Sequence, residues 1–592
     1  MSFQKLYENK VSEEEIYDIV YKGQDLIETI RKNNTYPYHY FLSPLRHNLF
    51  HWYPFKKDGS LLEIGAGYGQ LTSLFTKKVN HVIAVEDSQS KCKIISKRAE
   101  NATVLVSDFN NLELEEKFDY IILCNIFEYA KSFVNSENPY VDYLNYLKGF
   151  LKEDGIILLA LSNRLGLKYF AGFKEEHTDQ LFSGINEYPN ADNVQTFSKT
   201  ELEKIINAAG FSNYKFFYPY PSHEIPETIN TDKLINEIPF TGVSEFSRER
   251  FLFFDEKKLN LTLSEENLSQ YFTNSFLVEI KTSDREYPTD NIDFVKIGAQ
   301  RKEEFNIYTI IWSDGKVSKT PISAKANKHI KRMVEGSKYD MGKIKCLDAK
   351  LIGNSLYYDF IDQKSCEYLM LDFISKNDKE KFFELIEEIY DALFYNSFET
   401  DKYATAEFLN IFKEKSKIKF HCHEKSYLDL ILGNMFLIDG EFTTIDYEWI
   451  YDFPIPLEYI FYRTFRYHFY SSKLFREFTS FEEIFAHFNL DTENLKLFRS
   501  WECNFLRYIL NRPPLTHSKK IPIKNMDKLE QLEKYDQIQN EIELKNKEIR
   551  KLNKELEKKD TEINSLLNSK SWKMTKPLRK FKSILKKWIL KK

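Results

Sequence analysis

Short apolar runs alternate with amphipathic stretches from Ser60 onward. The runs read LLEI, HVIAVE, TVLVS, FDYIILCN and IILLALS, and between them lie QLTSLFTKK, a charged segment and a helical pattern around residues 138–151. Alternation of this kind predicts a parallel sheet with crossover helices. Ligands of such sheets bind beyond the carboxyl ends of the strands, so functional residues are expected there.

Three glycines at every second position follow the first run, in LLEIGAGYGQLT. Gly65, Gly67 and Gly69 allow a tight turn and let a ligand approach the backbone, and the helix that begins near Gln70 offers its amino terminus. The motif alone would also fit a glycine-rich turn in any doubly wound fold. Its interpretation therefore depends on the residues that follow.

Two acids and an aromatic residue stand at the ends of the next two runs. Glu86 closes HVIAVE, about 20 residues after the glycines, where an acid accepts hydrogen bonds from ribose hydroxyls in nucleotide-binding folds. Asp108 follows TVLVS, where it could accept a hydrogen bond from an adenine amino group, and Phe109 could cover the ring. Either acid alone could be a helix cap or a turn residue. The three features in register predict a nucleoside site.

These motifs together resemble class I S-adenosylmethionine (SAM)-dependent methyltransferases over roughly residues 36–282. The resemblance implies a Rossmann-like α/β domain with SAM as methyl donor. It implies that the donor is held by Glu63, Gly65 and Gly67 around its methionine part, Glu86 on ribose and Asp108 on adenine. The runs YKFFYPY and SFLVEI would form the final antiparallel hairpin, with an insertion between them that helps to shape the acceptor site.

The acceptor of the methyl group is predicted to be an oxygen. The segment CNIFEYA lacks the proline of the Asn-Leu-Pro-Tyr type loop in ribosomal RNA dimethylases and carries Glu128, and no basic patch with aromatic residues surrounds it, so a nucleic-acid partner is not expected. A hydroxyl acceptor needs a base, for which Glu128 and His177 are candidates, although His177 would also fit a structural role. A phosphate monoester needs none. Arg164 and Lys168 could clamp an anionic acceptor or lie on a solvated helix face.

A second motif lies in YLDLILGNMFLIDGEFTTIDYEW, residues 427–449. Asp429 could accept the proton of a substrate, and Asn434 with Asp446 could hold Mg2+ against the phosphates of ATP, as in phosphoryl transfer. Asp439-Gly440, between two apolar runs, predicts a hairpin turn that carries the last acid to the site.

The region from about 290 to 512 resembles kinases of the aminoglycoside/choline type, which implies a two-lobed α+β domain. Lys319 is the candidate for the phosphate-binding lysine and Lys316 is the alternative. The chain departs from protein kinases in having Tyr427-Leu428 in place of His-Arg and only Gly298 in place of a glycine-rich flap. A pseudokinase therefore stays an alternative.

The end of the chain changes composition after Pro514. A heptad of apolar positions predicts a coiled coil over residues 527–567, and hence a homo-oligomer, with Lys545 and Lys559 as weak layers. A single solvated helix is the alternative. Residues 568–592 form a basic amphipathic pattern that fits an anionic membrane surface or a protein partner.

The whole chain has 592 residues and a formal net charge of -5, which favours several domains without an overall nucleic-acid-binding character. Residues 1–35 are expected to be an N-terminal helical segment. Neither a signal peptide nor a transmembrane run is apparent, so we expect a cytoplasmic protein associated peripherally with the cytoplasmic face of the inner membrane.

The order of these segments resembles the bifunctional methyltransferase/kinase chain terminators of bacterial O-antigen polysaccharides. The resemblance implies a role in lipopolysaccharide biosynthesis, in which the end of a lipid-linked polysaccharide is phosphorylated and methylated on that phosphate or on a sugar hydroxyl. It also implies the inner membrane surface and a glycosyltransferase as partners. The alternatives are a soluble small-molecule O-methyltransferase with a non-catalytic or small-metabolite kinase-like domain, and a non-catalytic scaffold.

Overall fold

A computed structural model describes residues 11–33, 35–189, 193–238, 250–254, 256–298, 300–471, 473–510, 524–525 and 530–589. The chain divides into two compact units. The first comprises Met1–Arg250 and Phe254–Ile523, and the second comprises Phe251–Phe253 and Lys524–Lys592.

Strands occur in both units, most of them in the first. Their bounds are β1 Ser60–Ile64, β2 His81–Glu86, β3 Thr103–Val106, β4 Phe118–Cys124, β5 Leu151–Ser162, β6 Asn213–Tyr220, β7 Thr228–Thr231, β8 Phe251–Leu252, β9 Ser275–Lys281, β10 Ile292–Ile297, β11 Ile307–Trp312, β12 Lys316–Pro321, β13 Lys345–Cys346, β14 Lys350–Ile352, β15 Ser355–Asp359, β16 Phe398–Thr400, β17 Phe420–Cys422, β18 Ser426–Tyr427, β19 Met435–Ile438, β20 Glu441–Thr444, β21 Ile450–Tyr451 and β22 Lys524–Asn525.

The helices of the described residues are α1 Glu13–Tyr21, α2 Leu26–Asn33, α3 Tyr36–Leu42, α4 Thr72–Lys78, α5 Gln89–Arg98, α6 Ala130–Phe133, α7 Pro139–Lys148, α8 Leu167–Phe170, α9 Lys199–Ala208, α10 Glu256–Glu265, α11 Ser269–Phe272, α12 Asn327–Gly336, α13 Cys366–Ser375, α14 Lys379–Phe394, α15 Ala406–Phe412, α16 Leu457–Ser471, α17 Lys473–Phe478, α18 Phe481–His487, α19 Leu495–Ile509, α20 Glu530–Asn568, α21 Lys570–Met574 and α22 Lys576–Ile589.

The predicted Rossmann-like arrangement is present in the first unit. Strands β3, β2, β1, β4 and β5 lie side by side in parallel, in that order. Strand β9 pairs antiparallel with both β5 and β6, which is the predicted final hairpin. The central strands β1 and β4 are buried almost throughout, and their alternate residues pack into two separate cores, as continuous apolar runs in a parallel sheet predict.

The sheet continues across the boundary predicted between residues 282 and 290. Strand β7, which lies in the insertion between β6 and β9 and was not predicted, pairs with β6 on one side and with β10 on the other. Beyond β10 follow β11, β12, β15 and β14, all antiparallel, so that the sheet has 13 strands. The predicted hairpin at Asp439-Gly440 is also present between β19 and β20.

Helices dominate the rest of the first unit, from α13 to α19. Their core is aromatic: Trp501 is fully buried and its ring lies 5.3 Å from that of Phe408 and 5.6 Å from that of Tyr459. Such offset and edge-on ring pairs pack densely and fix the relative position of helices α15, α16 and α19. This packing holds the loops that carry the second motif.

The second unit contains the long helix α20 of 39 residues. Within the single chain its heptad face is open to solvent, with Ile542, Ile549 and Leu556 exposed by 47%, 53% and 65%. An apolar stripe of this kind is stable in water when a second helix covers it, so the coiled coil stays a prediction. Among the described helices, none combines the length and the apolar character needed to cross a bilayer.

Candidate functional site

A pocket of about 380 Å³ opens at the carboxyl ends of β1, β2, β3 and β4, where the sequence predicts the donor. Its lining includes the predicted residues Gly65, Glu86, Asp108 and Phe109. The other lining residues are Asp87, Asn110, Cys124, Asn125, Ile126, Tyr129, Ser132 and Phe133.

Each of the three glycines of the loop has a backbone conformation that L-residues rarely adopt, with φ of +74° at Gly65, +59° at Gly67 and +75° at Gly69. A Cβ at Gly69 would lie 3.1 Å from the backbone of Ile95, so this glycine serves helix packing. Gly65 lines the pocket, whereas the N–H of Gly67 donates to the Glu86 carboxylate at 2.8 Å.

The pocket contains two acids that could accept hydrogen bonds from the ribose and the adenine of a nucleoside. Glu86 is buried, and burial raises its pKa to about 8, while the Gly67 N–H lowers it. Hydrogen bonds from two ligand hydroxyls would favour the charged form. Asp108 is exposed at the rim beside the half-buried ring of Phe109. The two acids and the aromatic ring thus lie at one pocket of a kind that suits ribose and adenine, and their individual roles stay a prediction.

Glu63, which the resemblance places near the methionine part of the donor, is the penultimate residue of strand β1, next to the glycine loop. It is buried under the glycine loop, outside the described lining of the pocket, and the Thr72 hydroxyl donates to it at 2.5 Å. Burial raises the pKa of Glu63 to about 8. Its contact in this structure is with the first turn of α4.

Comparison with known proteins identifies the domain that contains this pocket. A family model described as "Methyltransferase domain" matches residues 35–215. The chain contains a class I SAM-dependent methyltransferase domain. An uncharacterized methyltransferase of Staphylococcus carnosus is 27% identical over 158 residues, 26% of this chain and 71% of that protein. Another, from Alkaliphilus oremlandii, is 30% identical over 105 residues, and the chain spans 46% of its length.

Solved structures to which the chain is similar include a SAM-dependent methyltransferase from Archaeoglobus fulgidus. It is 14% identical with a TM-score of 0.26, and the alignment covers 40% of this chain and 92% of that chain. The plantazolicin methyltransferase BpumL in complex with SAH is 17% identical with a TM-score of 0.25. That alignment covers 48% of this chain and 99% of that chain.

A buried polar cluster adjoins the donor pocket of the methyltransferase domain and contains both predicted base candidates. His177 Nδ1 lies 2.7 Å from the hydroxyl of Tyr129, which lines the pocket. Glu128 is 0% exposed, and neither of its carboxylate oxygens is hydrogen-bonded to another described residue. Burial, reinforced by the nearby Glu176 and Glu175, raises the pKa of Glu128 to about 8.

The two basic residues predicted to clamp an anionic acceptor are engaged by protein carboxylates. Arg164 donates to Glu201 at 2.7 Å, and Lys168 forms a buried ion pair with Glu176. A buried charge is held by such a partner because separating the pair would leave it uncompensated. In this structure both cations are therefore paired with protein carboxylates, and the clamp stays a prediction.

Sequence reasoning missed Asn125, which follows β4 with a φ of +58° and lines the donor pocket. Its side chain donates to the Tyr40 hydroxyl at 3.1 Å and its oxygen lies 2.5 Å from His223 Nε2. The sequence did contain one sign of this role, since Asn125 is a polar residue directly after a strand of the parallel sheet. Tyr40 and His223 come from distant segments, and no local pattern marked them.

A second cluster of charged side chains lies between β12 and the loops around β19–β20. Carboxylate oxygens of Asp429, Asp446 and Glu448 all lie within 4.8 Å of one another. Lys319 Nζ is 2.7 Å from Asp446. The side chain of Asn434 donates to the backbone carbonyl of Asp429 at 3.1 Å, which braces the loop. The structure thus brings the predicted residues of the second motif together.

The cations around this cluster hold the acids in place. Arg463 Nη1 lies 2.5 Å from Asp429, whose pKa burial raises and Arg463 lowers. Burial would raise the pKa of Glu448 as well, but Arg301 and the hydrogen bond from His329 keep it at about 2. Carboxylate oxygens are the ligands that Mg2+ prefers.

Glu448 was not predicted, although its place two residues after Asp446 was visible in the sequence. The alternative lysine, Lys316, is exposed and pairs with Asp359 at the other end of the strand, away from the cluster. The side-chain direction follows from strand alternation, since only Lys319 shares its face of β12 with the buried Val317.

We predict that Glu86→Ala weakens binding of S-adenosylhomocysteine by about tenfold or more, because hydrogen bonds to a buried carboxylate contribute about 1.5–3 kcal/mol. Calorimetry with the full chain measures the effect. Glu116→Ala, at an exposed acid, is the control. Equal affinity of the Glu86 variant and wild type would contradict the assignment.

We predict that Glu128 makes stability fall as pH rises. Its folded pKa is raised to about 8 from an unfolded value of about 4.3, so the folded chain alone keeps the proton between these values. Glu128→Gln should gain about 1–3 kcal/mol over wild type between pH 5 and pH 8. Urea unfolding at both pH values checks this, with exposed Glu137→Gln as control. Parallel pH profiles for all three proteins would refute it.

Proposed function

We propose that this chain caps a lipid-linked surface polysaccharide. The methyltransferase domain would transfer a methyl group from SAM to an oxygen at the end of the glycan, either a phosphate or a hydroxyl. The second cluster would phosphorylate the terminal sugar with ATP and Mg2+. The observation that carries the proposal is the presence of two differently built sites in one compact unit, joined by one sheet.

The methyl-transfer half is supported by the side chains next to the donor pocket. SAM supplies an electrophilic methyl group when bound, and the protein must then position a nucleophile and exclude water. The cluster beyond Asn125 and Tyr129 is buried and polar, which suits a small oxygen nucleophile. Removal of a proton from a hydroxyl by a positioned side chain contributes about 10²–10⁴-fold to such reactions.

The phosphoryl-transfer half is supported by the roles available at the second cluster. Asp429 would accept the proton of the sugar hydroxyl, while Asn434, Asp446 and the newly found Glu448 would supply oxygen ligands for Mg2+. Lys319 stands beside Asp446, where it could contact a nucleotide phosphate. Residues from separate loops and strands meet at this cluster. Their convergence supports a phosphoryl-transfer site more strongly than the sequence motif alone does.

The second unit would attach the enzyme to the inner membrane surface and to a second copy of itself. The exposed heptad face of α20 suits a coiled coil, and α22 carries the basic residues of the final segment. Each basic residue near an anionic membrane contributes about 1 kcal/mol to attachment. A glycosyltransferase could share this surface.

We predict that Asp446→Ala abolishes the rise in melting temperature caused by ADP with Mg2+, because the site would lose one of the oxygen ligands proposed to hold the metal. Thermal unfolding with and without nucleotide measures it. Asp452→Ala, which removes an exposed acid of the same region, should behave as wild type. A wild-type protein that shows no response to ADP and Mg2+ would count against the phosphoryl-transfer half.

The proposal as a whole is tested by mass spectrometry of the terminal residue of the surface glycan from cells with and without this protein. We expect the terminus to lose a methyl group, together with a phosphate, when the protein is absent. Loss of the methyl group alone would favour a kinase-like domain without turnover. An unchanged terminus would refute the capping function.

A further inference from the structure

The loop that joins β10 to β11 contacts the second cluster. Its backbone is fixed at Lys302, whose N–H donates to the carbonyl of the last residue of α19 at 2.8 Å. The buried ring of Phe305 in this loop packs edge-on against Trp449, with the ring centres 5.0 Å apart. Trp449 directly follows the cluster residue Glu448 in the chain. These contacts hold the loop against the cluster.

One side chain of this loop, Arg301, reaches the acids of the cluster. It forms an ion pair with Glu448, and its charge also interacts with Asp429 and Asp446. The guanidinium lies over the ring of Trp449, 5.6 Å from the ring centre. The side chain of Arg301 is 25% exposed, whereas that of Glu448 is 2% exposed. The arginine is thus the member of this pair that a ligand can reach from solvent.

The second cation of the loop has different neighbours. The Nζ atom of Lys302 lies over the ring of Tyr508, 5.1 Å from the ring centre, and among the described residues it forms no ion pair with an acid of the cluster. Lys302 therefore has the same charge and nearly the same position in the sequence as Arg301, without its contact to the acids. It provides a matched control.

The composition of the loop explains why a side chain is needed here. Protein kinases cover the phosphates of ATP with a loop rich in glycines, which lack a Cβ and let the backbone approach a ligand closely. In this chain the loop contains Gly298 as its single glycine. A Cβ at this position would lie 3.6 Å from Cζ of Arg301, so the glycine lies directly beside the guanidinium. Donors for a phosphate in this place come from the arginine.

The charges of the cluster balance in pairs. Each of its three acids has its own cation, and the pairs are Asp429–Arg463, Asp446–Lys319 and Glu448–Arg301. Arg463 is also bound by the buried Glu502, with 3.0 Å between Nε and the carboxylate, which keeps it engaged with the protein. With Mg2+ on the acids, the three pairs would carry a surplus of two positive charges, and phosphate oxygens would be attracted to Lys319 and Arg301.

We propose that Arg301 binds the phosphates of a nucleoside diphosphate or triphosphate at the second cluster, and that its guanidinium takes the place of the backbone contacts of a glycine-rich loop. This inference rests on the proposed phosphoryl transfer. A guanidinium suits this role because its planar N–H groups match two phosphate oxygens at once and form charge-assisted hydrogen bonds with them.

Calorimetry with the full chain tests this role, with ADP plus Mg2+ and adenosine as the two ligands. In Arg301→Gln the affinity for ADP should fall by about tenfold or more, because hydrogen bonds between two charged groups are lost. The affinity for adenosine, which has no phosphate, should stay within twofold of wild type. Lys302→Gln should bind both ligands as wild type does.

The ratio of the two affinities separates phosphate binding from support of the loop. In Arg301→Gln the buried Glu448 keeps its hydrogen bond with His329 at 2.9 Å, and the new amide can also donate to it. Arg301→Lys, which keeps the charge, should show a smaller loss of the same kind, and it decides the matter if the glutamine variant does not fold.

Two results would overturn the role of Arg301. One is an equal loss of affinity for ADP and adenosine in the Arg301 variants, since that is the effect of a residue that only holds the loop in place. The other is an unchanged affinity for ADP. A wild-type chain that binds neither ligand would instead refute the proposed nucleotide site itself, and this inference with it.

Discussion

The structure depends on the backbone pairing between β7 and β10. Through this ladder the sheet of the methyltransferase domain continues into the strands that carry Lys319, and one set of hydrogen bonds runs from the donor pocket to the second cluster. Strand pairing tolerates little change in register when both faces are covered. The two sites are therefore held at a fixed separation within the first unit.

Burial of charge is the second constraint, and it acts differently at the two sites. Beside the donor pocket, Glu86, Glu128 and His223 are buried with few or no opposite charges, which favours their neutral forms. At the second cluster, Asp446 and Glu448 each lie beside a cation, as does Asp429. Burial therefore favours neutral side chains beside the donor pocket, whereas neighbouring cations keep acids together at the second cluster.

Much of the donor pocket could be predicted from the sequence because its residues follow strand ends in a regular order. Gly65, Glu86, Asp108 and Phe109 all line the pocket, since parallel strands bring their carboxyl ends to one edge. Glu63 is not among the lining residues, and its side chain accepts a hydrogen bond from Thr72, a contact that the motif did not reveal. The carboxylate partners of Arg164 and Lys168 could not be predicted, because the sequence does not show which acids lie next to these side chains.

The sequence by itself determined the order of the five parallel strands, the glycine loop with its acids, and Asp429 and Asp446 of the second motif, because each depends on local spacing. Only the tertiary structure decided that β7 joins the two halves of the sheet, that Glu448 lies beside Asp446 and Asp429, and that His223 faces Asn125. These contacts link residues far apart in the chain, and their geometry depends on how the buried side chains pack.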